Sequence, residues 1–126
     1  MVLVFLPAES CSECSNFVSG AAASYDSYEE ENAVVLAVLT GDPEEAVASW
    51  DELKAPFPML YDPQGRVTAR YTDWPPAVFV ADRFGELYAE WTVGHGGFFP
   101  TQEEILDTLE LINLECPECG ARLEWA

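Results

Sequence analysis

Runs of apolar residues alternate with amphipathic stretches along this chain, and the alternation predicts a layered α/β fold. Val2-Leu3-Val4-Phe5-Leu6 is a short continuous apolar run and reads as a buried strand. Residues 14–30 carry Phe17, Val18, Ala21, Ala22, Tyr25 and Tyr28 at helical spacing. Ala33 to Leu39 is a second unbroken apolar run, the pattern of a strand covered on both faces. Asp42-Pro43-Glu44-Glu45 then opens a helix, with Asp42 as N-cap and Pro43 in the first turn. Its expected inward face is Ala46, Val47, Trp50 and Leu53, and Pro56 and Pro58 bound its exit. Met59-Leu60-Tyr61 reads as a short extended piece. Asp62-Pro63-Gln64-Gly65 reads as a turn, and Val67 to Tyr71 as a short helix.

Ala77 to Ala81 reads as a strand. The turn Asp82-Arg83-Phe84-Gly85 returns it as a hairpin through Leu87 to Val93. Gly94-His95-Gly96-Gly97 reads as a flexible loop. Thr101-Gln102-Glu103-Glu104 has the form of a capping box, and Ile105, Leu106, Leu109 and Ile112 form the inward face of a last helix. Strands joined by helices pair in parallel, and the late hairpin adds antiparallel strands. The expectation is a central mixed sheet of about four to five strands flanked by helices.

Composition narrows the class. With 126 residues, 49% apolar and 13% aromatic, the chain can build one real core. No apolar run approaches the roughly 20 residues that span a bilayer. The apolar start is too short for a signal peptide and lacks a basic flank, which points to a cytoplasmic protein. Charge sharpens the picture: 23 acidic residues against five basic give a net charge of −18. Such a surface repels nucleic acid and anionic membranes. It fits a solubilising surface, adaptation to high salt, or an acidic docking face for a basic partner.

Four cysteines carry the candidate chemistry. Cys11-Ser12-Glu13-Cys14 follows directly on the first strand. If a helix starts there, the two thiols lie one turn apart and close into a disulfide with little backbone movement. The helix N-terminus favours the thiolate of the first cysteine, whereas Glu9 and Glu13 oppose it. A zinc knuckle or a pair of buried thiols is the alternative. Cys116-Pro117-Glu118-Cys119-Gly120 has the form of a zinc knuckle but supplies only two of the four ligands of a structural site. Three roles stay open for it. Zinc could be shared between two chains, which would make a homodimer. The pair could be a second redox couple serving Cys11 and Cys14 of a neighbouring molecule. It could also be a simple disulfide or free thiols. The boundaries expected from this reading are a domain over 1–115 and a tail over 116–126.

Three segments resemble the thioredoxin superfamily, and within it the redoxin branch of alkyl hydroperoxide reductase/thiol-specific antioxidant (peroxiredoxin) proteins. The first is Val2 to Cys14. It is similar to the peroxiredoxin strand and loop, with Pro7 and Cys14 at the Pro and peroxidatic Cys positions and Cys11 in place of the Thr. The second is Leu60 to Tyr71, similar to "DPxGxVAxxY". The third is Pro75 to Gly85, similar to "PTxFxIDxxG". The resemblance covers most of residues 2–93 and implies a thioredoxin-like fold. It departs from the peroxidase pattern at Pro76, where peroxiredoxins carry an activating Arg. Thioredoxin-like proteins have a cis-proline there, facing the CxxC.

What the resemblance implies is a thiol–disulfide oxidoreductase with Cys11 as nucleophile and Cys14 as resolving cysteine. Trp74, Pro75 and Pro76 would line the substrate site. Its partners would be a disulfide-containing protein or small molecule and an external electron donor, with no cofactor required. His95 could shuttle protons or simply be solvated. Two other readings stand beside this one. One is a thiol peroxidase with Cys14 as peroxidatic cysteine and Cys11 or Cys119 resolving. The other is a non-enzymatic thioredoxin-fold module that binds zinc or a partner.

Overall fold

The computed structural model describes residues 1–9 and 11–124, without the side chains of His95 and residues 115–124. The chain runs β1 (Val2–Pro7), α1 (Ser12–Ala23), α2 (Tyr25–Glu30), β2 (Val35–Thr40), α3 (Pro43–Leu53) and β3 (Met59–Tyr61). Two 3-10 turns, Pro63–Gly65 and Thr68–Arg70, lead into β4 (Ala77–Ala81) and β5 (Leu87–Trp91). A third turn, Val93–His95, precedes α4 (Gln102–Glu124). The strands form one five-stranded mixed sheet in the order β3-β2-β1-β4-β5. β1 pairs in parallel with β2, from Val2 opposite Val35 to Pro7 opposite Thr40. β4 runs antiparallel to both β1 and β5. This is the α/β thioredoxin-like fold expected from the sequence.

Strand alternation divides the apolar residues between two faces. Val2, Val4 and Leu6 of β1 face one way, with Ala37, Leu39, Val78 and Val80. They pack against Phe17, Val18 and Ala21 of α1 and against Ile105, Leu109 and Ile112 of α4. Leu3, Phe5, Val38 and Phe79 face the other way. There Tyr71 stacks on Phe5 at 5.0 Å between ring centroids, taking part of the role a long helix would play. The Tyr28 hydroxyl, buried against the main core, donates a hydrogen bond to Gln102 and ties α2 to the first turn of α4.

Local signals set the element ends. Asp42 caps α3, its carboxylate accepting from the Glu45 N–H at 3.2 Å. Thr101 and Glu104 form the expected capping box, with the Glu104 N–H donating to Thr101 Oγ1 at 3.1 Å. The Asp82 carboxylate accepts from the Phe84 and Glu86 N–H groups and closes the β4–β5 turn. Asp62 is buried and accepts from the N–H and hydroxyl of Thr68, at 2.7 and 2.8 Å.

Several expectations are corrected. The first long helix is two helices, because the backbone leaves helical geometry at Ser24, with φ −99° and ψ 9°. On α3, Val47 and Trp50 do not face inward: they are 56% and 58% exposed. The inward face is Ala46, Leu53 and the polar Ser49, whose hydroxyl donates to the Ala8 carbonyl at 2.9 Å. Polarity at position 49 hid this face from a hydrophobic-periodicity reading. The glycine-rich stretch after β5 is not a free loop, since the Gly94 N–H donates to the Pro76 carbonyl at 2.9 Å. At the C-terminal end the backbone of α4 is helical to Glu124 and includes positions 116 and 119.

Candidate active site

The site is built where β1 hands over to α1. β1 is held in the sheet beyond its last residue by the Ala8 N–H, which donates to the Thr40 carbonyl at 2.7 Å. Cys11 is the N-cap of α1, in extended conformation with φ −149° and ψ 103°. Its sulfur accepts from the Cys14 N–H at 3.2 Å, and its carbonyl accepts from the Ser15 N–H at 3.1 Å. The Cys14 N–H is one of the orphan donors at a helix start, so the sulfur takes the place usually held by a capping oxygen.

Cys11 and Cys14 form a disulfide with a Cα–Cα distance of 5.2 Å. The two sulfurs are not equivalent. Cys14 belongs to the main core and is 4% exposed, whereas Cys11 is half-buried at the rim. A reagent in solvent therefore meets Cys11 first.

The Pro75–Pro76 peptide bond is cis, as the resemblance implied. Both prolines line an open cleft of about 400 Å³ together with Pro7, Cys11, Glu9 and Glu13. Cys11 and Pro76, 65 positions apart in sequence, thus share one wall-to-wall site. Trp74 is not among the residues lining this cleft; it is 64% exposed and its N–H donates to Thr72 Oγ1. The backbone at His95 closes the 3-10 turn beside Gly94, and its side chain lies outside the described residues.

Two further features were not read from the sequence. One is Gly94: a Cβ built there would overlap the Trp74 carbonyl oxygen, so only glycine lets the turn after β5 lie against the Trp74–Pro76 loop. The other is a second cleft at Cys11, between the β1–α1 loop and α3, lined by Glu45 and Glu52 as well as by Cys11 and Cys14. The contacts of both join segments distant in sequence, so no local pattern marks them.

The sulfurs of Cys116 and Cys119 lie outside the described residues, and so does any zinc or redox role for them. Among the described residues, no three His, Cys, Asp or Glu side chains gather where they could hold a metal ion. Among the same residues, no helix is long and apolar enough to cross a membrane.

Residues 1–90 match the profile of the AhpC/TSA family, and the chain belongs to that family. Solved structures agree on the fold. A structure described as a candidate thiol:disulfide interchange protein DsbE from Chlorobium tepidum superposes with a TM-score of 0.71 at 23% identity, covering 87% of this chain and 76% of that one. The peroxidoxin BcpB from Mycobacterium tuberculosis superposes with a TM-score of 0.74 at 19% identity, covering 88% and 78%. A secreted disulfide oxidoreductase of M. tuberculosis, homologous to E. coli DsbE, gives 0.66 at 20% identity, covering 87% and 79%. No curated protein matches the chain. Redoxins of this family are thiol–disulfide oxidoreductases or peroxidases, so thiols and disulfides are the substrate class this membership carries.

Proposed function

We propose that the protein is a thiol–disulfide oxidoreductase in which Cys11 attacks and Cys14 resolves. The observation that carries this reading is the disulfide between a rim sulfur at the Pro75–Pro76 cleft and a core sulfur outside that cleft. Cys11 is half-buried beside Pro75 and Pro76, and Cys14 is covered beneath it.

In the reduced state the Cys11 thiolate is favoured by the Cys14 N–H and by the N-terminus of the twelve-residue helix α1. It attacks one sulfur of a substrate disulfide. A Cys11–substrate bond forms, the substrate S–S bond breaks, and the departing thiolate takes a proton from solvent. Cys14, one turn along, then attacks Cys11 Sγ as its thiolate. The Cys11–Cys14 bond forms and the second substrate thiol leaves. Two electrons pass from the protein to the substrate, and an external dithiol restores the reduced pair. Pro7, Pro75 and Pro76 give the cleft an apolar floor on which an extended segment around a substrate cystine can lie.

A peroxidase reading puts the burden on Cys14, which is nearly covered, and on an activating Arg where this chain has Pro76. Disulfide exchange needs no Arg there, and needs Cys14 only to reach Cys11 Sγ. Insulin reduction with a dithiol donor tests the proposal. Wild type is expected to turn over, and Cys11→Ser to fall to the uncatalysed rate; unchanged turnover in the variant sinks it. Stopped-flow mixing with dilute hydrogen peroxide separates the two chemistries. Oxidation no faster than that of a free thiol is expected here, and rapid oxidation would favour the peroxidase.

A further inference from the structure

The cleft between the β1–α1 loop and α3 has no part in the mechanism above. Its volume is about 540 Å³, within the range of small-molecule sites and larger than the Pro75–Pro76 cleft. Both Cys11 and Cys14 line it, whereas only Cys11 lines the other. The remaining walls come from Leu39, Leu53 and the polar face of α3, held to the active-site loop by the Ser49–Ala8 hydrogen bond. Both residues of the Cys11–Cys14 disulfide therefore line a small-molecule-sized cleft on the α3 side.

Its charge is one-sided. Glu9, Glu45 and Glu52 line it, and none of the described lining residues is Lys, Arg or His. Glu45 and Glu52 are exposed on α3, seven positions and so about two turns apart on one face. A small ion in the cleft shares it with three glutamates and with Cys11 and Cys14.

We propose that the α3-side cleft is the entry for a small-molecule thiol or disulfide partner, and that Glu9, Glu45 and Glu52 select cationic partners over anionic ones. This rests on the dithiol reading of Cys11 and Cys14. In the reducing direction a small thiolate attacks Cys11 Sγ. The mixed disulfide forms, the Cys11–Cys14 bond breaks, and the electron pair leaves on Cys14, which takes a proton from solvent. A second thiolate attacks the mixed disulfide, frees reduced Cys11 and departs as the small disulfide. In the oxidising direction a small disulfide takes the same two electrons from the reduced pair. Aminothiols and their disulfides fit this charge; carboxylate-bearing thiols such as glutathione do not.

The test uses the reduced protein and three disulfides of similar size: cystamine (cationic), bis(2-hydroxyethyl) disulfide (neutral) and 3,3′-dithiodipropionate (anionic). Each rate is divided by that of a small uncharged thiol under the same conditions, which removes the intrinsic difference between leaving groups. Each carboxylate about 8 Å from a unit charge in a wet cleft changes the encounter by about twofold. With screening, cystamine is expected to exceed dithiodipropionate by about tenfold at about 0.1 M salt. The ratio should shrink toward one near 1 M, where the screening length is about 3 Å.

The variant pair separates the cleft from the overall charge. Glu45→Gln with Glu52→Gln should cut the cystamine preference at least threefold. Glu29→Gln with Glu30→Gln, the same charge change on the exposed end of α2, should leave it unchanged. Equal normalised rates for the three disulfides, or equal losses in the two double variants, overturn the proposal. Failure of the neutral disulfide to oxidise Cys11 at all overturns instead the oxidoreductase reading on which it rests.

Discussion

Gly94→Ala is the most informative single substitution outside the cysteines. The Gly94 N–H donates to the Pro76 carbonyl at 2.9 Å, and a methyl group at position 94 would overlap the Trp74 carbonyl oxygen. The neighbour in the way is backbone, not the end of a flexible side chain, so the whole Trp74–Pro76 loop or the turn after β5 has to move. Overpacking of this kind costs about 1–3 kcal/mol, and a broken backbone hydrogen bond about 1 kcal/mol more. The expected loss is roughly 2–4 kcal/mol, or a fall in Tm on the order of 10 °C for a chain of this size.

Function should fall selectively. The displaced loop carries Pro75 and Pro76, which wall the cleft at Cys11, and a misplacement of about 1 Å can cost up to 100-fold in rate. The α3-side cleft is lined by neither proline and should keep its shape. Urea denaturation measures the first effect. Insulin reduction compared with exchange against bis(2-hydroxyethyl) disulfide measures the second. Insulin turnover should drop at least tenfold while the small disulfide reacts at close to the wild-type rate. A variant with native stability and native insulin turnover would refute the packing account of Gly94.

Asp62 gives a pH prediction. Its burial pushes the carboxyl up, but hydrogen bonds from the N–H and hydroxyl of Thr68 and from the Val67 and Arg66 N–H groups outweigh this and hold it below the usual carboxylate range. A group lowered in the folded state adds stability above its unfolded value of about 3.9, and that stability is lost as pH falls through the folded value. Asp62→Asn should therefore destabilise the protein at neutral pH and flatten the acid side of its stability curve. Denaturation midpoints from pH 7 down to pH 2 check this, and parallel curves for the two proteins would contradict it. For the redox couple, Glu9 and Glu13 lie in the cleft with Cys11 and oppose its thiolate. The reduction potential, read by equilibration against a dithiol buffer, should lie near that of thioredoxin at about −270 mV. A value near the about −120 mV of DsbA would show that the acids do not act on the sulfur.

The strands were the easiest part to read from the sequence. Val2 to Leu6, Val35 to Leu39 and Ala77 to Ala81 are continuous apolar runs because each lies inside the sheet, while Ala33 and the exposed Val34 precede β2. The helix caps and turns were legible because Asp42, Thr101 and Asp82 act on residues two to four positions away. The inward face of α3 was not, because Ser49 faces inward through a hydrogen bond and Val47 and Trp50 are left exposed. The break at Ser24 was hidden too: Ala21, Tyr25 and Tyr28 keep helical spacing across it.

The site divides in the same way. Cys11 and Cys14 announce themselves by spacing and by following a strand, and Pro76 by its place before another. Gly94, Ser49, Glu45 and Glu52 join the site only when α3 and the turn after β5 close around it. Those contacts span 18 to 41 positions along the chain, and no local pattern records them.

The central claim is the division of labour between the two sulfurs, and trapping tests it most directly. Cys14→Ser leaves Cys11 at the rim of the cleft with no partner to resolve it. Incubated with oxidised insulin and then quenched with acid, it should hold a mixed disulfide, and peptide mass spectrometry should place the linkage on Cys11. Cys11→Ser, treated alike, should hold none, because Cys14 is 4% exposed. A stable adduct on Cys14 in Cys11→Ser, with none on Cys11 in Cys14→Ser, would reverse the roles and contradict the account.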